Sequence, residues 1–325
     1  MKRTLNMEQV QNELVEAFTW GDEAQARLLM SQLAAQPRKA RALLETMLQD
    51  SDAQVRQAAA FGLGELGGTA SARRLEQQLS LEEARGDYDG ESVVEVITEA
   101  LGRIEKAGTR ATLVRRLERL VASHPDPGDI GTVAHALWRR RHPDMLPAVR
   151  RALEQLSQPA WSILHGLLLL LEKSPEELTT WAADPSVPAE HKMEVIYILE
   201  ADVPETLAPA LPSFIAAAHD LIEPAATQDG EAAYYCERLF RFLLLYEERL
   251  LPALPEESHA KLRTLARSLV PSPSLNCSFQ AAVLLKYVGR PEDVSVLEAH
   301  RPEDPVGAKT FDGVARVLRS RPTPS

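Results

Sequence analysis

In this 325-residue chain the most suggestive spacing is Gly62-Leu63-Gly64-Glu65-Leu66-Gly67, which matches G-x-G-x-x-G letter for letter. In a dinucleotide site that spacing follows a strand and opens a helix, so that backbone N–H groups converge on a pyrophosphate. Here a helical run precedes it, and the glycines fall in the last turns of that helix. There, small residues permit close packing and Gly67 permits the exit, so no dinucleotide site is expected. No Walker loop, G-x-S-x-G elbow, H-E-x-x-H or C-x-x-C occurs, which weighs against an ordinary hydrolase, kinase or zinc enzyme. His135 and His165 recur at comparable places in successive helices, but a zinc site wants at least three protein ligands and no third is evident. Cys236 and Cys277 form neither a disulfide framework nor a metal knuckle. Glu91, Glu95 and Glu99 make one i, i+4 stripe, read as an acidic edge rather than an acid/base set. No catalytic residue, metal or cofactor is expected.

Charge gives a second kind of chemistry. Thirty-six basic against forty-seven acidic side chains leave a net charge of −11, a poor match for a protein that grips phosphate backbones. Yet between Arg103 and Arg151 eleven Lys/Arg face five acids. Arg73, Arg74, Arg115, Arg116, Arg119, Arg150 and Arg151 are the candidates for an anion-binding ridge, the plainer reading being a solvated helix face. Among the aromatics, Phe61 lies off the apolar stripe of its helix and is expected to be exposed. Tyr197, Tyr234 and Tyr235 sit on later helices.

The elements that position these residues repeat. In Asp52–Gly67, Val55, Ala59, Leu63 and Leu66 recur at three and four, the mark of an apolar helix face. Asp52 fits the N-cap, and Gly67-Gly68 a left-handed stop. A shift of 38 residues superposes Gly90–Glu105, placing Gly64 on Gly102 and Leu63 on Leu101. In a looser copy Ala136-Leu137-Trp138 takes the place of Ala100-Leu101-Gly102, and Asn276–Gly289 repeats the rhythm. Companion helices alternate with these: ARRLEQQL from Ala72, VRRLERLV from Val114 and VRRALEQL from Val149. Strand signals are nearly absent, so an all-α fold is expected, one solenoid domain over 1–325. Repeats are clear over 37–156, degenerate over 157–273 and return in outline over 274–320. Two segments, Ser80–Gly90 and Glu223–Gly230, read as long loops. The longest apolar run, Ile163–Leu171, is too short to span a bilayer, and no signal peptide is seen. A soluble, cytoplasmic protein without membrane contact is expected.

The phrase DAQVRQAAAFGLGELG resembles the second helix of a HEAT repeat, in particular the short HEAT-like repeats of phycobilisome bilin lyases. The resemblance implies an α-solenoid of antiparallel helix pairs, with the helices of the Asp52 type on the concave side and their companions on the convex side. It also implies an Asp/Arg ladder between repeats, for which Asp52 and Arg56 match but Gly90 and Val94 do not. On that frame the concave partner-binding candidates are Phe61, Glu95, Glu99, His135, Tyr197 and Tyr234, and the arginine ridge is convex. The expected function is a non-catalytic protein–protein interaction scaffold, one specific form being an acidic inhibitor or immunity-type protein. The partner is another protein, and nucleic acid is not favoured. The alternative is a HEAT-like-repeat enzyme or nucleic-acid binder, of the DNA glycosylase or bilin lyase kind.

Overall fold

The structure, a computed structural model, describes residues 7–123, 127–156, 162–222 and 230–321. Among them every regular element is a helix, and none is long and apolar enough to cross a membrane. The fold is an all-α solenoid in which neighbouring helix pairs pack. The chain divides into two compact units, residues 1–158 and 159–325.

The first unit comprises α1 (Met7–Thr19), α2 (Glu23–Leu33), α3 (Pro37–Met47), α4 (Ala53–Leu66), α5 (Gly68–Glu83), α6 (Tyr88–Arg103), α7 (Ala107–Ala122), α8 (Pro127–Arg139) and α9 (Leu146–Gln155). α4, α6 and α8 pack in one row, and α5, α7 and α9 in a second. Capping sets the helix starts. The Asp52 carboxylate accepts the Gln54 N–H at 2.8 Å, and that of Asp87 accepts the Gly90 N–H at 2.7 Å. α4 stops at Gly67, whose φ of 64° is a conformation that costs glycine nothing.

Two of the three glycines in G-x-G-x-x-G are packing devices. A Cβ on Gly62 would meet the Leu44 side chain at 2.6 Å, and one on Gly64 would sit 2.8 Å from the Ala100 Cβ. One repeat later, a Cβ on Gly102 would lie 2.8 Å from the Ala136 Cα. The same glycine-on-alanine contact therefore joins α4 to α6 and α6 to α8, in the register read from the repeats.

Two expectations are corrected. Ser80–Gly90 is not a long loop: α5 continues to Glu83 and α6 begins at Tyr88, leaving a tight turn through Gly86. The Asp52/Arg56 pair forms no ladder between repeats. Asp52 is occupied by its cap, and buried Arg56 donates from Nε to the Glu82 carboxylate at 2.8 Å and from Nη1 to the Asp50 and Ser51 carbonyls. That ion pair closes α4 onto its companion α5. The other expected loop, 223–230, falls almost wholly outside the described residues.

The second unit comprises α10 (Ile163–Glu172), α11 (Pro175–Ala183), α12 (Ala189–Leu199), α13 (Leu211–Ala218), α14 (Gly230–Leu245), α15 (Glu247–Leu250), α16 (Glu256–Leu269), α17 (Leu275–Val288), α18 (Val294–Ala299) and α19 (Pro305–Arg319). Here α10, α12, α14, α17 and α19 form the continuous row. Gly166 of α10 lies against the backbone of α12, where a Cβ would meet the Glu194 carbonyl oxygen at 3.2 Å.

These close approaches predict opposite effects at two helical glycines. Gly64→Val drives bulk into the Ala100 backbone and should cost about 1–3 kcal/mol, the usual range for overpacking. Gly313→Ala, on α19 with open space at its Cβ, should gain about 0.5–1 kcal/mol. Urea denaturation followed by far-UV circular dichroism measures both.

Candidate functional site

α12 is buried on most of its circumference, through Met193, Val195, Ile196, Ile198 and Leu199. The side that remains, three residues apart, carries Glu194 and Tyr197. On the adjoining α14, Tyr234 and Arg238 share a face at i, i+4, with Tyr235 beside them. The row of close-packed helices brings the two sets together. The Arg238 guanidinium lies 4.5 Å from the Tyr197 ring centroid, 4.5 Å from that of Tyr234 and 5.5 Å from that of Tyr235. Such stacking recovers part of what a cation loses on leaving water.

Arg238 is 5% exposed and Glu194 8%. They pair through Arg238 Nη1 and Glu194 Oε1 at 2.8 Å, and Arg238 Nη2 donates to the Tyr234 hydroxyl at 3.3 Å. Three atoms of the pair are buried without a hydrogen-bond partner among the described residues: Glu194 Oε2, Arg238 Nε and Arg238 Nη1, the last meeting Glu194 Oε1 as an ion pair only. A bare acceptor and a bare donor thus sit on the two halves of one ion pair. Next to it, Arg241 grips Glu200 with two bonds of 3.0 Å, and the Tyr246 hydroxyl donates to the Glu200 carbonyl.

Protonation in this cluster is governed by burial. Loss of water raises the Glu194 carboxyl above its ordinary value, although the neighbouring Arg238 charge pulls the other way. Arg238 is itself opposed by burial, yet the Glu194 carboxylate keeps it above its ordinary value. Burial pushes the Tyr197 phenol up to about 12, with Glu200 adding to it, and does the same for Tyr235, helped by Glu194 and Glu231. Both phenols are therefore hydrogen-bond donors at neutral pH. A carboxyl raised in the fold favours folding below its ordinary pKa, and that contribution is lost as pH rises through the folded value.

The other expected residues are dispersed. Phe61 is not exposed: at 2% exposure it packs on Phe18 of α1, ring centroids 5.6 Å apart, with Arg103 over its other side at 5.2 Å. α1 folds back over α4 and covers it. Glu99 is half-buried and pairs with Arg103 at 3.5 Å, and burial raises its carboxyl. Glu95 is exposed and accepts from the Thr132 hydroxyl, while His135 is half-buried on α8.

The arginine ridge is largely cross-linked. Arg116 and Arg119 of α7 both bind Glu83 of α5, and Arg151 of α9 binds Glu118 of α7. Arg116 is buried, correcting its place on an open ridge. Arg115 donates to Thr112, Arg74 reaches Gln77, and Arg73 and Arg150 are exposed. Among the described residues, no three His, Cys, Asp or Glu side chains converge as a metal site would require.

Sequence reasoning found Tyr197 and Tyr234 but missed Glu194 and Arg238. The only local signals were Glu194-x-x-Tyr197 and Tyr234-Tyr235-x-x-Arg238, each a one-turn spacing that also suits a core.

Residues 41–69 match the HEAT repeat model, as the resemblance of that stretch implies. No curated protein matches its sequence significantly. Among solved structures, human deoxyhypusine hydroxylase in complex with glycerol matches at 16% identity with a TM-score of 0.38, over 90% of this chain and 99% of that one. An engineered protein matches at 15% identity and a TM-score of 0.30, over 97% of this chain and 100% of that one. The expectation of a non-catalytic scaffold is the one these comparisons do not support, the first of them being a structure of an enzyme. Neither likeness transfers a reaction or a residue.

The buried pair makes a stability prediction. Glu194→Ala leaves Arg238 as an unpaired buried charge and should cost about 3–5 kcal/mol, whereas Glu194→Leu with Arg238→Met removes both charges and should lie much nearer the wild type. Thermal and urea unfolding of the single and double variants check this.

Proposed function

We propose that this HEAT-repeat chain is an enzyme of the acid–base type, with its reactive centre at Glu194, Arg238 and the tyrosines of the second unit. The supporting observation is the Glu194 carboxyl, raised by burial and with Oε2 unpartnered beside the unpartnered Arg238 Nε. Titratable groups displaced from their ordinary values gather where chemistry needs them, because a proton acceptor works best when its pKa lies near the working pH.

The roles follow from the atoms. Glu194 Oε2 takes a proton from a substrate O–H or N–H, or returns one. Arg238 Nε binds the oxygen on which negative charge develops, in a setting where little water screens the interaction. The phenols of Tyr197 and Tyr235 stay protonated at neutral pH, and that of Tyr235 donates to Glu231. Tyr234, 44% exposed, is the most exposed of the three rings. The substrate class this suits is a small polar molecule with a donor and an acceptor close together, such as a hydroxy-carbonyl compound or an amide.

The test is incubation of the purified protein with a defined mixture of sugars, amino acids, nucleosides and organic acids, read by mass spectrometry beside Glu194→Gln. The amide can keep the bond to Arg238 and cannot exchange a proton. The wild type should consume at least one compound, and Glu194→Gln should do so at least about 100-fold more slowly, within the range a positioned acid–base group supplies. Equal conversion by both proteins, or none by the wild type, would contradict the proposal.

A further inference from the structure

The first unit holds a cleft of about 390 Å³ whose lining includes Glu83, Gly86, Arg116, Arg119, Ser123 and Asp129. Its volume falls within the range of small-molecule sites. Gly86 stands at the turn between α5 and α6 with a φ of 62° and open space where a Cβ would be.

Inside the cleft two guanidinium groups, three residues apart on α7, converge on one carboxylate. Arg116 Nη1 donates to Glu83 Oε1 at 2.7 Å, and Arg119 Nη2 lies 2.9 Å from each Glu83 oxygen. The next carboxylate, Asp129, is 3.9 Å from Arg116 Nη2. Two cations therefore share one close anion. Arg116 is 5% exposed, and its Nε is buried without a hydrogen-bond partner. Burial lowers its pKa in spite of Glu83 and Asp129, as expected of a buried cation that is incompletely compensated. Arg119 is half-exposed and faces the cleft.

Guanidinium forks of this kind match carboxylate and phosphate oxygens geometrically as well as by charge. Glu83, at the last position of α5, lies where such a ligand group would lie. We infer that this cleft is a binding site for a small molecule carrying a carboxylate or phosphate, which docks on Arg119 and Arg116 in competition with the Glu83 side chain. The exposed carboxylates of Glu91 and Asp129 at the rim favour a ligand whose other end carries hydrogen-bond donors. This inference uses no residue of the second unit and stands independently of the acid–base centre there.

Inorganic phosphate and succinate, each titrated into the full chain at constant ionic strength with chloride as the reference, test it by thermal shift and isothermal calorimetry. At least one of the two should bind saturably to the wild type, and the tighter one identifies the ligand group. Glu83→Gln, which removes the competing charge and keeps the shape, should bind that anion at least tenfold more tightly. Arg119→Ala, a half-exposed change that the fold tolerates, should abolish binding. No response beyond chloride in the wild type, or an undiminished response in Arg119→Ala, would overturn the inference. Should Glu83→Gln fail to fold, the wild type and Arg119→Ala decide between these results.

Discussion

Two helices can stack backbone to backbone only where one of the facing residues has almost no side chain, and that constraint sets the rest of this protein. Gly64 on Ala100, Gly102 on Ala136 and Gly166 on the Glu194 carbonyl are three instances along the two close-packed rows. No helix pair of a solenoid buries its own apolar face, so the stack itself is the core. Once the spacing is fixed, so are the side chains that meet across it. Glu194 meets Arg238 because α12 is held between α10 and α14, and Arg116 meets Glu83 because α7 is held against α5.

The polar side chains therefore do different work in different places. Between α5, α7 and α9 of the first unit, Arg119 with Glu83 and Arg151 with Glu118 are partly exposed pairs, which water screens and which contribute little each. Arg56 with Glu82 is buried and saturated: both carboxylate oxygens accept from Arg56, and Gln78 adds a bond to one of them. Glu194 with Arg238 is also buried, though less deeply, and leaves Glu194 Oε2, Arg238 Nε and Arg238 Nη1 without a hydrogen-bond partner among the described residues. Burial without saturation is costly. Its occurrence on a face lined by three tyrosines distinguishes that pair from the structural one.

Much of the fold was legible in the sequence because its signals are local. The cap at Asp52, the stop at Gly67 and the glycine-to-alanine register between successive repeats lie within one helix or recur at nearly constant spacing. Phe61 was misplaced because the stripe on α4 says which side faces α6 and nothing about α1 folding back over the other. The Glu83 to Arg116 and Glu118 to Arg151 pairs share a 33-residue offset, yet the arginines alone drew notice as a basic ridge. The proposed centre was half legible. Tyr197 and Tyr234 stood out as aromatic, but their meeting with Glu194 and Arg238 depends on the register of α12 against α14, in the stretch where the repeat is most degenerate.

The state of the Glu194 carboxyl is the point on which the functional account turns. Its titration can be followed directly by carbon NMR of the side-chain carboxyl in protein labelled at glutamate, with Glu194→Gln to assign the signal. The account predicts a midpoint above the ordinary glutamate value of about 4.3, because lost hydration outweighs the pull of Arg238. A midpoint at or below that value would show an ordinary, fully compensated ion pair and would contradict an acid–base role.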